Sequence, residues 1–172
     1  MPSPAVPSAL PIEWAHLAEL LAQPGSTAPM FDALERLGLG RGGEGVASIL
    51  MHQLAGPLNE RVVANAILLA GLAELEAAAP AILAVATSER ASEELCDQAI
   101  TALSCMLGAA HEAAVAYLER RGAELSGLVV KARRGEPLEP AESVRLRRSL
   151  RLLEALTEDP DSWQPVRWGL AS

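Results

Sequence analysis

The chain has 172 residues, enough for one domain that buries roughly 70% of the surface its unfolded form exposes. Half of the residues are apolar but aromatics make up only 3%, so a core must come from close-packed Ala, Leu, Val and Ile. The net charge of −8 argues against general nucleic-acid or anionic-membrane binding, which needs a basic footprint, and no apolar run approaches the roughly 20 residues of a membrane span.

Residues 1–11 hold four prolines and no basic residue, which reads as a disordered tail rather than a secretory signal and makes a cytoplasmic location the default. Residues 12–23 place Ile12, Trp14, Leu17, Leu20 and Leu21 on one helical stripe that Pro24-Gly25 closes. Pro29 suits the first turn of a second helix, whose face is Met30, Phe31, Leu34 and Leu37 and whose end is Gly38. The glycines from Gly38 to Gly45 read as a flexible inter-helix loop, with 44–55 the next helix and Gly56-Pro57 its stop. Asn59 is the N-cap expected for a long helix over 60–76, buried through Val62, Val63, Ala66, Ile67, Ala70 and Leu75. Pro80 starts a short helix ending near Thr87. Ser92 caps another long one, whose apolar phase runs through Leu95, Ala99, Ile100, Leu103, Met106 and Leu107. Short helices over 111–121 and 124–134 and a long one over 141–158 follow. Residues 159–172 read as a tail whose Trp163 and Trp168 cap the open end. No β-branched run flanked by turns is present, so the expected class is all-α without a sheet.

Two internal periods organise these elements. Leu34-Glu35-Arg36-Leu37-Gly38 returns 84 positions later as Leu118-Glu119-Arg120-Arg121-Gly122, and residues 60–73 overlay 93–106 at an offset of 33, with Ala66-Ile67 on Ala99-Ile100. Helices that recur in this way bury their apolar faces by stacking on their neighbours. The order of short helix, second short helix, Gly/Pro turn and long helix resembles an armadillo repeat, related to the HEAT repeats. The closest stretch is 92–135, with Glu93-Glu94-Leu95, Ala99 to Ser104 and Tyr117 to Ala123. The resemblance covers 27–158 and implies a right-handed α-solenoid of about three repeats, with residues 12–158 as the repeat domain.

In that family long helices line a groove that holds extended peptides. The Trp-x-x-x-Asn ladder of nuclear-import adaptors falls here on Leu68 and Leu72, Thr101 and Cys105, and Arg151 and Ala155, so the ladder itself is missing. The resemblance implies a groove formed by Ala64, Leu68, Leu72, Asp97, Thr101, Cys105, Arg147 and Arg151. It would be apolar at one end and basic at the other, suited to a protein or extended peptide with apolar and acidic residues. Two alternatives stand beside this adaptor reading: a unit that self-assembles into homo-oligomers, and a chaperone nucleotide-exchange type of cofactor. From Tyr117 to Arg151 nine basic residues face five acidic ones, either a solvated face or a docking patch for an acidic partner.

Enzymatic chemistry finds little support. His16, His52 and His111 lie on three separate helices without metal-ligand spacing, and Val115 stands where His111-Glu112 would need a second histidine. Cys96 and Cys105 are nine residues apart, on opposite sides of one helix, so they cannot pair and read as small buried hydrophobes. No phosphate-cradling glycine motif ends in Lys-Ser or Lys-Thr. The expectation is a protein without catalytic residues, metal or cofactor.

Overall fold

The computed structural model describes residues 12–23 and 28–156. The proposed N-terminal tail, the Pro24-Gly25 stop and the tryptophan-bearing C-terminal tail lie outside the described residues. Among the described residues the fold is all-α and has no strand. Its helices are α1 (Ile12–Ala22), α2 (Ala28–Leu37), α3 (Leu39–Ala55), α4 (Glu60–Leu72), α5 (Ala79–Thr87), α6 (Glu93–Ser104), α7 (Leu107–Arg133) and α8 (Pro140–Leu156), with a 3-10 turn, Glu76–Ala78, before α5.

Most boundaries follow from local chemistry that the sequence displays. The Asn59 side-chain oxygen accepts from the backbone N–H groups of Arg61 and Val62, and the Ser92 hydroxyl accepts from Leu95, so both N-caps satisfy amides that have no partner within the helix. Helix α7 ends at Gly135, whose φ of 72° places it in the left-handed region. There the Gly135 amide donates to the Ala132 carbonyl and the Glu136 amide to Lys131, a Schellman closure. Helix α4 ends in the same way, four residues sooner than the expected end at 76. Glu74, at φ 51°, takes the place glycine usually holds, and the Leu75 amide donates to Ala70.

Three expectations need correction. The glycine run is not a loop: α3 begins at Leu39 and passes through Gly40, Gly42, Gly43 and Gly45. Packing supplies the reason, because the glycines are where other elements press on α3. A Cβ at Gly45 would lie 2.5 Å from the Trp14 ring of α1, one at Gly43 would lie 3.0 Å from Ala77, and one at Gly42 would overlap Leu34 of α2. The helical propensity lost to glycine is offset by burying Trp14 and Leu34 against a bare backbone.

The helices expected over 111–121 and 124–134 are one helix, α7. Its buried stripe of Ala110, Ala113, Ala114, Tyr117, Leu125, Leu128 and Val129 keeps helical spacing across Gly122, so one interior glycine, costing about 1 kcal/mol, does not break it. The phase expected to carry the preceding helix through Leu107 instead stops at Ser104, and the chain restarts as α7 after Met106.

The helices pack in two rows. One runs α1, α4, α6, α8 and the other α3, α5, α7, with α2 against α1 and α3. Sequential pairs α3/α4, α5/α6 and α7/α8 join the rows as hairpins. Helix α5 lies at the centre, touching α3, α6, α7 and α8, and its buried Ala79, Ala81, Ile82, Leu83, Val85 and Ala86 explain why it is apolar on nearly every side.

Two side-chain amides 33 residues apart link helices of the first row. The Asn65 amide of α4 donates to the Leu21 carbonyl of α1 at 2.7 Å, and the Gln98 amide of α6 donates to the Ala64 carbonyl of α4 at the same distance. Helices α4 and α6 are thereby each tied to the backbone of the helix before them in the row.

Candidate functional site

The eight residues of the expected groove all lie on the row that includes α4, α6 and α8, and the structure divides them into two chemically different parts. On α4 and α6, Leu68, Leu72, Thr101 and Cys105 surround a shallow, almost wholly apolar notch of about 120 Å³, with Ile67, Gly71, Gln98 and Ala102 completing its wall. Gly71 sets the depth of the notch, since a Cβ there would stand 3.2 Å from Ala102, so the lack of a side chain lets the two helices approach closely. Leu72 is 60% exposed and Leu68 40%, unusual for leucines lining one depression. Ala64 is half-buried, and its carbonyl is the acceptor for Gln98.

Cys105 is exposed, contrary to the expectation that both thiols are buried. It is the C-cap of α6, and its thiol donates to the Thr101 carbonyl at 3.5 Å. Cys96 is buried as expected, and burial pushes its thiol above the ordinary pKa. Cys96 therefore does not fit a nucleophile, which needs a depressed pKa in an electropositive setting.

The second part is an ion-pair zipper between α6 and α8. Arg147 meets Glu93 at 2.8 Å, and Arg151 bridges Glu93 at 3.7 Å and Asp97. Glu93 and Asp97, like Arg147 and Arg151, are four residues apart, so each pair occupies one helix face and the two faces mesh. Sequence reasoning had placed Arg147 and Arg151 as free cations for a partner, whereas both already hold intramolecular carboxylates.

A third arginine of α8, one of the nine basic residues from Tyr117 to Arg151, is buried, which its spacing does not reveal. Arg148 is only 7% exposed; it donates to the Ser88 carbonyl and reaches Glu93 at 3.4 Å, while its Nε has no hydrogen-bond partner. The hydrogen bond from Arg148, followed by the charges of Arg148, Arg147 and Arg151, outweighs desolvation and holds Glu93 below the usual carboxylate range. A buried arginine in an Arg-rich helix has no distinguishing spacing, but Leu146, Ser149, Leu152 and Leu153 around it mark the buried stripe to which it belongs.

Basic residues further along the Tyr117 to Arg151 stretch are also partly committed. Arg145 binds Glu124 and Glu89, and Arg121 binds Glu124 at 3.1 Å. Burial alone would raise Glu124, but the hydrogen bonds from Arg121 and Arg145 outweigh it and the carboxyl sits below its ordinary value. Burial would likewise lower Arg145, and its hydrogen bond to Glu124 and the charge of Glu89 reverse that and raise it.

Among the described residues no group of His, Cys, Asp and Glu is arranged to hold a metal ion, and no helix is long and apolar enough to cross a membrane. Comparison with protein-family models, with curated proteins and with solved structures returned no match.

Proposed function

We propose that this chain is a non-enzymatic binding module that holds an extended segment of a partner protein across α4, α6 and α8, with its hairpins stacked as a short armadillo- or HEAT-like solenoid. The observation that carries this reading is the pair of exposed leucines, Leu68 and Leu72, flanking an apolar notch on the same row as a zipper of exposed charges. The notch is well below the roughly 300–1,000 Å³ of small-ligand pockets, which favours a single apolar side chain of a peptide over a cofactor.

The zipper complements this. Exposed ion pairs contribute about 0–1 kcal/mol each, so an incoming carboxylate can displace Asp97 from Arg151 at little cost. The favoured occupant is therefore a peptide with an apolar anchor and a nearby acidic residue.

Selection from a displayed peptide library, followed by calorimetric titration of the enriched sequence, tests the assignment. Leu72→Glu should abolish binding, and Arg151→Glu should weaken it and remove its salt dependence. Peptides that bind Leu68→Glu, Leu72→Glu and wild-type protein equally well would refute the face. A second copy of the chain is the competing occupant, and sedimentation at several concentrations separates it from a peptide.

A further inference from the structure

A second depression lies on the other row, and neither α4 nor α6 contributes to it. It measures about 360 Å³, within the range of small-molecule sites, and is formed where α3, α5 and α7 meet the start of α8. Leu54, Pro80, Leu83 and Ala84 give it an apolar floor, with the half-exposed Met51 at its edge. Arg120, Arg121 and Arg145 stand on its polar side, together with the Glu89 carboxylate that Arg145 holds.

The three guanidiniums are not equivalent. Arg145 is held by Glu89 and Glu124, and Arg121 shares Glu124, so two carboxylates serve three arginines. Arg120 is exposed and has no ion-pair or hydrogen-bond partner among the described residues. The hydroxyls that line the cavity are engaged elsewhere: Tyr117 with Ser149 at 2.8 Å, Thr87 with the Leu83 carbonyl, and Ser88 with the Arg90 amide. The polar wall thus offers cationic donors to a ligand and one uncompensated positive charge, in a chain whose net charge is −8. Local potential in a cleft follows the charges that line it rather than the total.

We infer that this cavity is a binding site for a small amphipathic anion, a carboxylate or similar acid on an apolar body, with Arg120 as its charge partner and the α3/α5 floor receiving the apolar part. A guanidinium pairs a carboxylate through two parallel N–H donors, which fixes the head at the rim. Burial of the tail on Leu54 and Leu83 supplies the non-directional part of the affinity.

The probe is decanoate, used below its micellar concentration and titrated by calorimetry into the full chain. Decanol supplies the same tail without charge, and acetate the same charge without tail. Decanoate should bind saturably at a one-to-one ratio, with decanol and acetate each at least tenfold weaker. Arg120→Glu, an exposed change whose folding is checked by circular dichroism, should weaken decanoate at least tenfold, and added salt should weaken it for wild type only. Leu72→Glu on the other row should leave it unchanged. The inference fails if decanoate shows no saturable binding, if decanol matches it, or if Arg120→Glu binds it as well as wild type does. Binding of an acidic, leucine-containing peptide with the same Arg120 dependence but no binding of decanoate would also overturn it, by assigning the cavity to a protein partner.

Discussion

Replacing glycine by alanine at two helix-interior positions should move stability in opposite directions. An interior Gly→Ala change gains about 1 kcal/mol from helix propensity where the methyl group has space. At Gly127 of α7 nothing lies within 4 Å of an added Cβ, so the full gain should appear, raising Tm by about 2–4 °C for a chain of this size. At Gly45 of α3 the same methyl would stand 2.5 and 2.6 Å from two carbons of the Trp14 ring. That ring is buried, with the Arg41 guanidinium 5.8 Å from its centroid on one face, so it is poorly placed to retreat. Overpacking of this kind costs about 1–3 kcal/mol, and subtracting the propensity gain leaves a central loss of about 1 kcal/mol. The two variants should therefore differ by about 2 kcal/mol in urea unfolding, with Gly45→Ala melting below wild type and Gly127→Ala above it. Equal stabilisation by both would show that α1 is not seated on α3 through Trp14, and the account of the glycine run as a packing surface would fall.

Glu74 occupies a left-handed conformation that costs a side-chain-bearing residue about 1–2 kcal/mol, so Glu74→Gly should raise stability by about 1 kcal/mol, read from the urea midpoint. In the native protein a thiol reagent should modify Cys105 quickly and Cys96 only as fast as the fold opens, giving one fast equivalent of two; two fast equivalents would contradict the burial of Cys96. Because Glu93 titrates below its ordinary value of 4.5, its ion pairs stabilise the fold above that pH, and their contribution is lost as pH falls through the depressed value. Glu93→Gln should accordingly be less stable than wild type at neutral pH, with the two stability curves converging in acid; parallel curves would mean that Arg147, Arg148 and Arg151 gain nothing from the carboxylate.

What the sequence disclosed about the fold depended on whether one local signal sufficed. Asn59, Ser92 and Gly135 act within a turn of their own position, so caps and stops were readable. The glycines of α3 were misread because their meaning is tertiary: a glycine followed by more glycines looks like a loop until Trp14 and Leu34, distant in sequence, come to rest on it. Gly122 failed for the opposite reason, since the 84-residue echo made it look like the counterpart of Gly38. Gly38 has φ 80° and separates two helices, whereas Gly122 lies within α7, where the buried stripe continues on either side. Similarity between the two segments carried over the residue type but not the conformation.

The candidate surfaces divide along the same line. Leu68, Leu72, Thr101 and Cys105 were grouped by the resemblance to armadillo repeats, whose ladder positions they occupy, and the structure gathers those four around one notch. The arginines could not be sorted that way. Nine basic residues in the stretch from Tyr117 to Arg151 read either as a solvated face or as a docking patch, and a charge acts on a partner only to the extent that its own protein leaves it uncompensated. Arg147 and Arg151 are spent on Glu93 and Asp97 of α6, about 54 residues earlier in the chain, and Arg121 and Arg145 on Glu124 and Glu89. Pairing across such separations is set by which helices become neighbours, a property of the rows and not of any segment. The pairing of Arg121 and Arg145 with Glu124 and Glu89 leaves Arg120 over the α3/α5 floor, so positive charge survives locally on the row where no groove had been expected. If the zipper rather than Arg120 governed anion binding, Arg151→Glu would weaken decanoate more than Arg120→Glu does, an order of effects that the structure forbids because α8 contributes Arg145 and not Arg151 to that cavity.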